Sequence, residues 1–153
     1  MKNSFLKFTL TLLLIGCIAC TPSHPSKEEL VQNLNGYWKI HEVKAQDGTI
    51  HQYKVSTTVD YIEVQPDLTG IRRKLKPKLD STYELTGGTE HFKIAYAKDS
   101  IIFQYTTAMD QWKEQLLDTQ KEQFTVKNER GITYTYNRFE SLKKELENHE
   151  KGK

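Results

Sequence analysis

The chain has almost no cysteine. Of its 153 residues only Cys17 and Cys20 are cysteine, and both lie near the N-terminus. The rest of the chain therefore has no disulfide and no thiol nucleophile, and holds itself together by burial alone. Long hydrophobic runs are missing too. Phe8 to Gly16 is apolar but far short of the ~20 residues a helix needs to cross a bilayer. No Gly-x-Ser-x-Gly elbow is present, and no glycine loop ends in the Gly-Lys-Ser/Thr that cradles phosphate. Gly87-Gly88 reads as a hairpin turn. The five histidines, His24, His41, His51, His91 and His149, are dispersed, and none pairs with another or with a cysteine at metal-ligand spacing. These absences lead us to expect no metal, no cofactor and no catalysis.

Charge of one sign is also lacking once the N-terminus is set aside. Met1 to Gly16 carries Lys2 and Lys7, then a short apolar stretch and small residues, the pattern of a secretory signal peptide. Without those two lysines the 22 Lys and Arg fall to 20, equal to the 20 Asp and Glu. A neutral chain has no electrostatic basis for binding nucleic acid.

Leu14-Ile15-Gly16-Cys17 resembles the bacterial lipobox, in which the cysteine is lipidated and becomes the new N-terminus. Cys20, after Ile18-Ala19, is the rival position. The resemblance implies a lipoprotein anchored to a bacterial envelope membrane through Cys17. Residues 18–25 lack the acidic residues expected of some surface-export signals, so the expected location is the outer membrane, facing the periplasm. On this reading residues 1–16 are the signal peptide and 17–26 a lipidated tether. Its prolines and small polar residues favour an extended chain, reaching ~20–30 Å.

Ser26-Lys27-Glu28-Glu29 is a capping box, and Leu30, Val31 and Leu34 follow at helical spacing. A short helix is expected from Lys27 to about Asn33. After Gly36 the period becomes two. Trp38 and Ile40 share a face, as do Ile62 and Val64. Ile71, Arg73 and Leu75 alternate, then Phe92, Ile94 and Tyr96, then Ile101, Phe103 and Tyr105. Trp112, Glu114 and Leu116 follow, then Phe124 and Val126, and last Ile132, Tyr134, Tyr136 and Arg138. Eight or nine runs at roughly 8–12-residue spacing, with turn signals between them, predict an antiparallel barrel or sandwich. Residues 27–140 form this domain. Residues 141–153 are a C-terminal helix with a thin apolar stripe, Leu142 and Leu146.

Gly36 and Trp38 at the first strand, the helical turn before them, and Arg138 in the last strand resemble a small bacterial lipocalin-like lipoprotein. The resemblance implies an all-β, up-and-down barrel of about eight strands. It also implies that Trp38 closes the barrel floor with Gly36, and that Arg138 packs over the indole ring.

The candidates for ligand contact follow from parity. Arg72 to Lys78 is the densest charge run; alternation puts Arg72, Lys74 and Lys76 in solvent and Arg73 inside with Ile71 and Leu75. The aromatic residues, Tyr83 among them, fall largely on the inner face. Buried tyrosine hydroxyls need partners, so Arg73, Tyr96, Tyr105, Trp112, Tyr134 and Tyr136 are the expected pocket. Glu114 reads as a solvated residue on an edge strand, with pairing to Arg73 or Arg138 as the alternative. The expected function is binding of a small hydrophobic or amphipathic molecule by a monomer. The alternative is an envelope protein–protein module, an assembly factor or inhibitor with a packed barrel.

Overall fold

The barrel strands send alternate side chains to one shared interior, with register shifts in three of the pairings around the ring. The computed structural model describes residues 24–151. The signal-peptide and lipobox expectations, Cys17 included, lie outside those residues. The elements are α1 (Lys27–Leu34), β1 (Gly36–Lys44), β2 (Ile50–Gln52), β3 (Val59–Val64), β4 (Thr69–Pro77), β5 (Tyr83–Ala97), β6 (Ser100–Thr106), β7 (Gln111–Thr119), β8 (Gln123–Asn128), β9 (Thr133–Arg138) and α2 (Leu142–Lys151). All pairings are antiparallel, running β1-β3-β4-β5-β6-β7-β8-β9, and β9 returns to β1. Eight strands thus close an up-and-down barrel, which leaves no open edge in the ring. The short β2 pairs with β1 alone, through Glu42↔Gln52 to Lys44↔Ile50.

The barrel has one packed end and one open end. Ser26 caps α1 as its sequence indicates: its hydroxyl accepts from the Glu29 amide at 3.2 Å, and the Glu29 carboxylate accepts from the Ser26 amide at 2.7 Å. Leu30 and Leu34, four residues apart, drop from α1 into the barrel end beside Trp38, all three fully buried. Ile62, Val64, Leu68, Phe92, Ile94, Ile101, Phe103, Leu116, Phe124 and Val126 belong to the same core, which Tyr105 and Tyr136 continue upward. Phe124 meets the Trp38 ring edge-on at 4.7 Å.

Arg138 is the clasp. Its guanidinium lies 4.2 Å from the centre of the Trp38 ring. It donates to the carbonyls of Asn33 (2.8 Å), Asn35 (2.9 Å) and Lys121 (2.6 Å). The Asn33 and Asn35 carbonyls at the end of α1 are left without helical partners, so the cation both satisfies them and complements the negative helix terminus. The Trp38 indole N–H donates to Leu34 O at 2.7 Å. Gly36 makes room for this: a Cβ there would sit 2.6 Å from Arg138 Nη1, and its φ of +129° is one that L side chains rarely adopt. At the other end of the chain α2 lies outside the ring, tied to β1 by a Lys39–Glu145 ion pair.

Trp38→Ala removes a fully buried ring and should cost ~3–5 kcal/mol. Gly36→Ala imposes both the clash and the backbone strain and should cost roughly 1–3 kcal/mol. Urea unfolding measures both.

Candidate functional site

Above the apolar floor the interior turns polar. The inner positions of β3 and β4 are Asp60, Ile62 and Val64, paired with Lys74, Arg72 and Gly70. Gly70 sets this face. Built with a Cβ, it would meet the Phe92 ring at 2.5 Å and the Glu63 carbonyl at 2.3 Å, so only glycine lets that ring lie across the strand. The even-numbered residues of β4 therefore face in.

This reverses the expected parity of β4. Arg73 is exposed on the outer face, where its Nε donates to the Thr89 hydroxyl at 3.2 Å, and the inward arginine is Arg72. Ile71 and Leu75 suggested the opposite because apolar alternation was taken to mark the interior. Leu75 in fact pairs with Val59, an outward residue that is nonetheless buried. The outer surface there is covered by the far part of the β4–β5 hairpin. Tyr83 on β5 stacks on Tyr37 of β1 at 4.5 Å, although β3 and β4 lie between those strands in the sheet. Tyr83, expected inside, is thus an outer residue. Gly87-Gly88 is not a hairpin turn either. β5 runs straight through it, and the register shifts between Arg73 and Leu75 while Thr86, Gly87 and Gly88 go past.

Arg72 lies at the centre of the polar half. Its Nε donates to Glu90 at 2.5 Å and its Nη1 to Glu114 at 3.2 Å. Its guanidinium rests 4.3 Å over the Tyr105 ring. Glu114, expected in solvent, is buried and paired with Arg72 rather than with Arg73 or Arg138. β7 is not an edge strand in a closed ring, and Phe103↔Glu114 puts this carboxylate opposite a core phenylalanine. On the other side Lys74 Nζ pairs with Asp60 at 3.2 Å. With every group ionised, two cations face three carboxylates, an excess of one negative charge.

Burial raises the Glu114 pKa above the ordinary carboxylate value, and the Arg72 charge and the Tyr105 hydroxyl pull it back. Burial likewise pushes Tyr105 and Tyr136 well above the usual tyrosine range. Both therefore remain neutral hydroxyls at any physiological pH.

A hollow of about 330 Å³ opens over this cluster. Its walls are Ile40, Asp60, Arg72, Lys74, Gly87, Gly88, Glu90, Glu114, Tyr134 and Tyr136. A second hollow, sharing Glu114 and Tyr134, includes Trp112 and the β8–β9 turn. Of the expected pocket residues, Tyr134 and Tyr136 line the first hollow and Trp112 the second. Tyr105 is buried beneath Arg72 and stacked on Trp112 at 5.0 Å. Tyr96 belongs elsewhere: it stands at the α1 end, where its hydroxyl donates to Pro25 O at 2.8 Å. It continues the inner parity of β5, but past Ile94 the strand has already left the barrel interior. A larger groove beside it, lined by His24, Glu29, Lys98, Ile101 and Leu116 among others, lies at the α1 end. Asp60, Arg72, Lys74 and Glu90 were not singled out as ligand contacts. Gly70 was the signal that could have located them, since a glycine mid-strand marks a close approach.

No protein-family model matches the chain, and no curated protein matches it in sequence. Among solved structures it is similar to a lipocalin-like protein from Bacteroides uniformis, at 12% identity and a TM-score of 0.44, covering 69% of this chain and 98% of that one. It is similar as well to an uncharacterized protein from Bacteroides eggerthii, at 11% and 0.45, covering 70% and 100%. A third is a de novo designed fluorescence-activating β-barrel, at 13% and 0.43, covering 72% and 98%.

Arg72→Met strips Glu114 of its cation and should destabilise the fold by roughly 3 kcal/mol at pH 7. A carboxyl whose folded pKa exceeds its unfolded value favours folding when protonated. Lowering the pH from 7 to 5 should therefore narrow the gap between Arg72→Met and wild type in urea unfolding.

Proposed function

We propose that the protein is a lipoprotein, anchored to a bacterial envelope membrane through Cys17, whose barrel mouth binds one small amphipathic molecule without catalysis. The observation that carries the reading is the hollow itself. A barrel of eight strands has room for one small ligand above a filled floor. Here the floor is closed by Trp38, and about 330 Å³ lies open above it between tyrosine rings and charged groups. Such a mixed lining suits a ligand with an apolar body and a polar head. Trp112, Tyr134 and Tyr136 offer the apolar surface, and Arg72 and its neighbours set orientation. On this reading the polar contacts fall to Arg72, which lines the hollow, rather than to the outward Arg73.

The direction of the mouth follows from the tether. Pro25 is held by Tyr96 at the α1 end, opposite the mouth. Seven residues, 17–23, reach at most ~25 Å when extended. A lipid on Cys17 would therefore hold the closed end towards the membrane and turn the mouth away from it. That geometry suits a periplasmic ligand arriving from the aqueous side.

A protein-partner reading draws on the exposed Ile50, Tyr53, Val55 and Leu79. Native mass spectrometry of protein isolated from its own envelope separates the two. The expected result is a co-purifying small molecule; a co-purifying protein with an empty barrel would replace the binder with an interaction module. For the anchor, Cys17→Ala should release the protein from the membrane fraction, and continued membrane partitioning would move the lipid site to Cys20 or remove it.

A further inference from the structure

The charged groups of the mouth differ in how firmly they are held. Arg72 is engaged on three sides, by Glu90, Glu114 and the Tyr105 ring. Asp60 is not. Its side chain is 6% exposed, and no hydrogen bond among the described residues reaches it. Its one partner is the Lys74 ammonium, whose side chain is 52% exposed. Asp60 is fixed by β3, opposite Trp38 in the register. Lys74 is a flexible, strongly hydrated cation that returns to water easily. A carboxylate left buried without a cation is unfavourable, so any cation that can replace the ammonium is attracted to the site.

We propose that the ligand's polar head is an organic cation, a primary or substituted ammonium group. It displaces Lys74 from Asp60 while its apolar body lies against Tyr134 and Tyr136. This rests on the pocket reading above and names its ligand class. Three observations converge on it. With every group ionised the mouth carries one negative charge in excess, and Arg72 is already matched by two carboxylates. Asp60 and both tyrosine rings line the same hollow. The site already holds one organic cation on a tyrosine face, the Arg72 guanidinium over Tyr105, which is the contact an ammonium would seek. An anionic head would meet Glu90, Glu114 and Asp60 and find one loosely held lysine.

The test uses the lipidated protein in nanodiscs, with empty nanodiscs as blank, and three probes of similar shape: phenethylammonium, phenethyl alcohol and phenylacetate. Binding is read by ligand-observed NMR and titration. Phenethylammonium should bind and the other two should bind at least ~10-fold more weakly. Lys74→Gln, which removes the internal competitor, should tighten phenethylammonium ~10-fold. Asp60→Asn should abolish the preference for the cation, provided the variant retains its cooperative melt. Should Asp60→Asn fail to fold, Lys74→Gln and the probe series decide alone. Equal or tighter binding of phenylacetate or the alcohol overturns the proposal, as does an unchanged affinity in Lys74→Gln. If no probe binds, the cation proposal fails, while the pocket itself is still judged by the co-purifying molecule.

Discussion

The contact on which the rest of the structure depends is Arg138 over Trp38. It is where the last strand meets the first, since Trp38 and Arg138 are register partners across the β1–β9 seam. It is also where α1 is tied down, through the carbonyls of Asn33 and Asn35. A closed ring and a plugged end are thus secured by one side chain. The indole supplies a large apolar plate and the guanidinium a planar cation that stacks on it while its N–H groups stay bonded. Below the mouth, Leu34 from the helix and Phe124 from β8 meet this plate, in one cluster with Leu30.

Above the plate, the same sheet holds five charged side chains in a partly enclosed space. Burying charge is unfavourable unless it is paired, and a buried ion pair often contributes little net stability over apolar residues of similar volume. Stability alone would be served as well by leucine and phenylalanine at those positions. At the open end the paired charges and the hollow occur together, with Asp60, Arg72, Lys74, Glu90 and Glu114 all lining it. That coincidence supports the proposed binding mouth over a core that is merely filled. Neutral tyrosines at Tyr105 and Tyr136 fit the same picture, because burial holds their hydroxyls protonated beside the charges.

Much of the barrel was legible in residue order, and the reason is physical. Where a strand has one face on the core and the other in water, period-two alternation reports the inner face, as for Phe92-Ile94, Ile101-Phe103-Tyr105 and Trp112-Glu114-Leu116. The capping box fixed the start of α1 for a similar reason, since its hydrogen bonds are local. β4 escaped because its apolar residues lie on the outer face and its buried charge on the inner one. Ile71 and Leu75 are apolar on the outside, Ile71 in a surface groove beside His91 and Lys93, and Arg72 is charged on the inside because Glu90 and Glu114 wait for it from β5 and β7. Those partners lie 18 and 42 residues away in sequence, so no local pattern announces them. Gly87-Gly88 misled for a related reason: glycines mark a turn and a bulge equally well, and only the pairing across the hairpin distinguishes the two.

The two tryptophans stand at opposite ends of the barrel and report directly on its asymmetry. Trp38 is fully buried in the floor, and Trp112 is half-buried beside the mouth. Acrylamide quenching of tryptophan fluorescence in wild type and in Trp112→Phe is therefore the most direct measurement. The account predicts two populations in wild type, one quenched and one shielded, with the quenched population absent from Trp112→Phe. Quenching of the remaining Trp38 as readily as an exposed indole would contradict a sealed floor. A fully shielded wild type would contradict an open mouth.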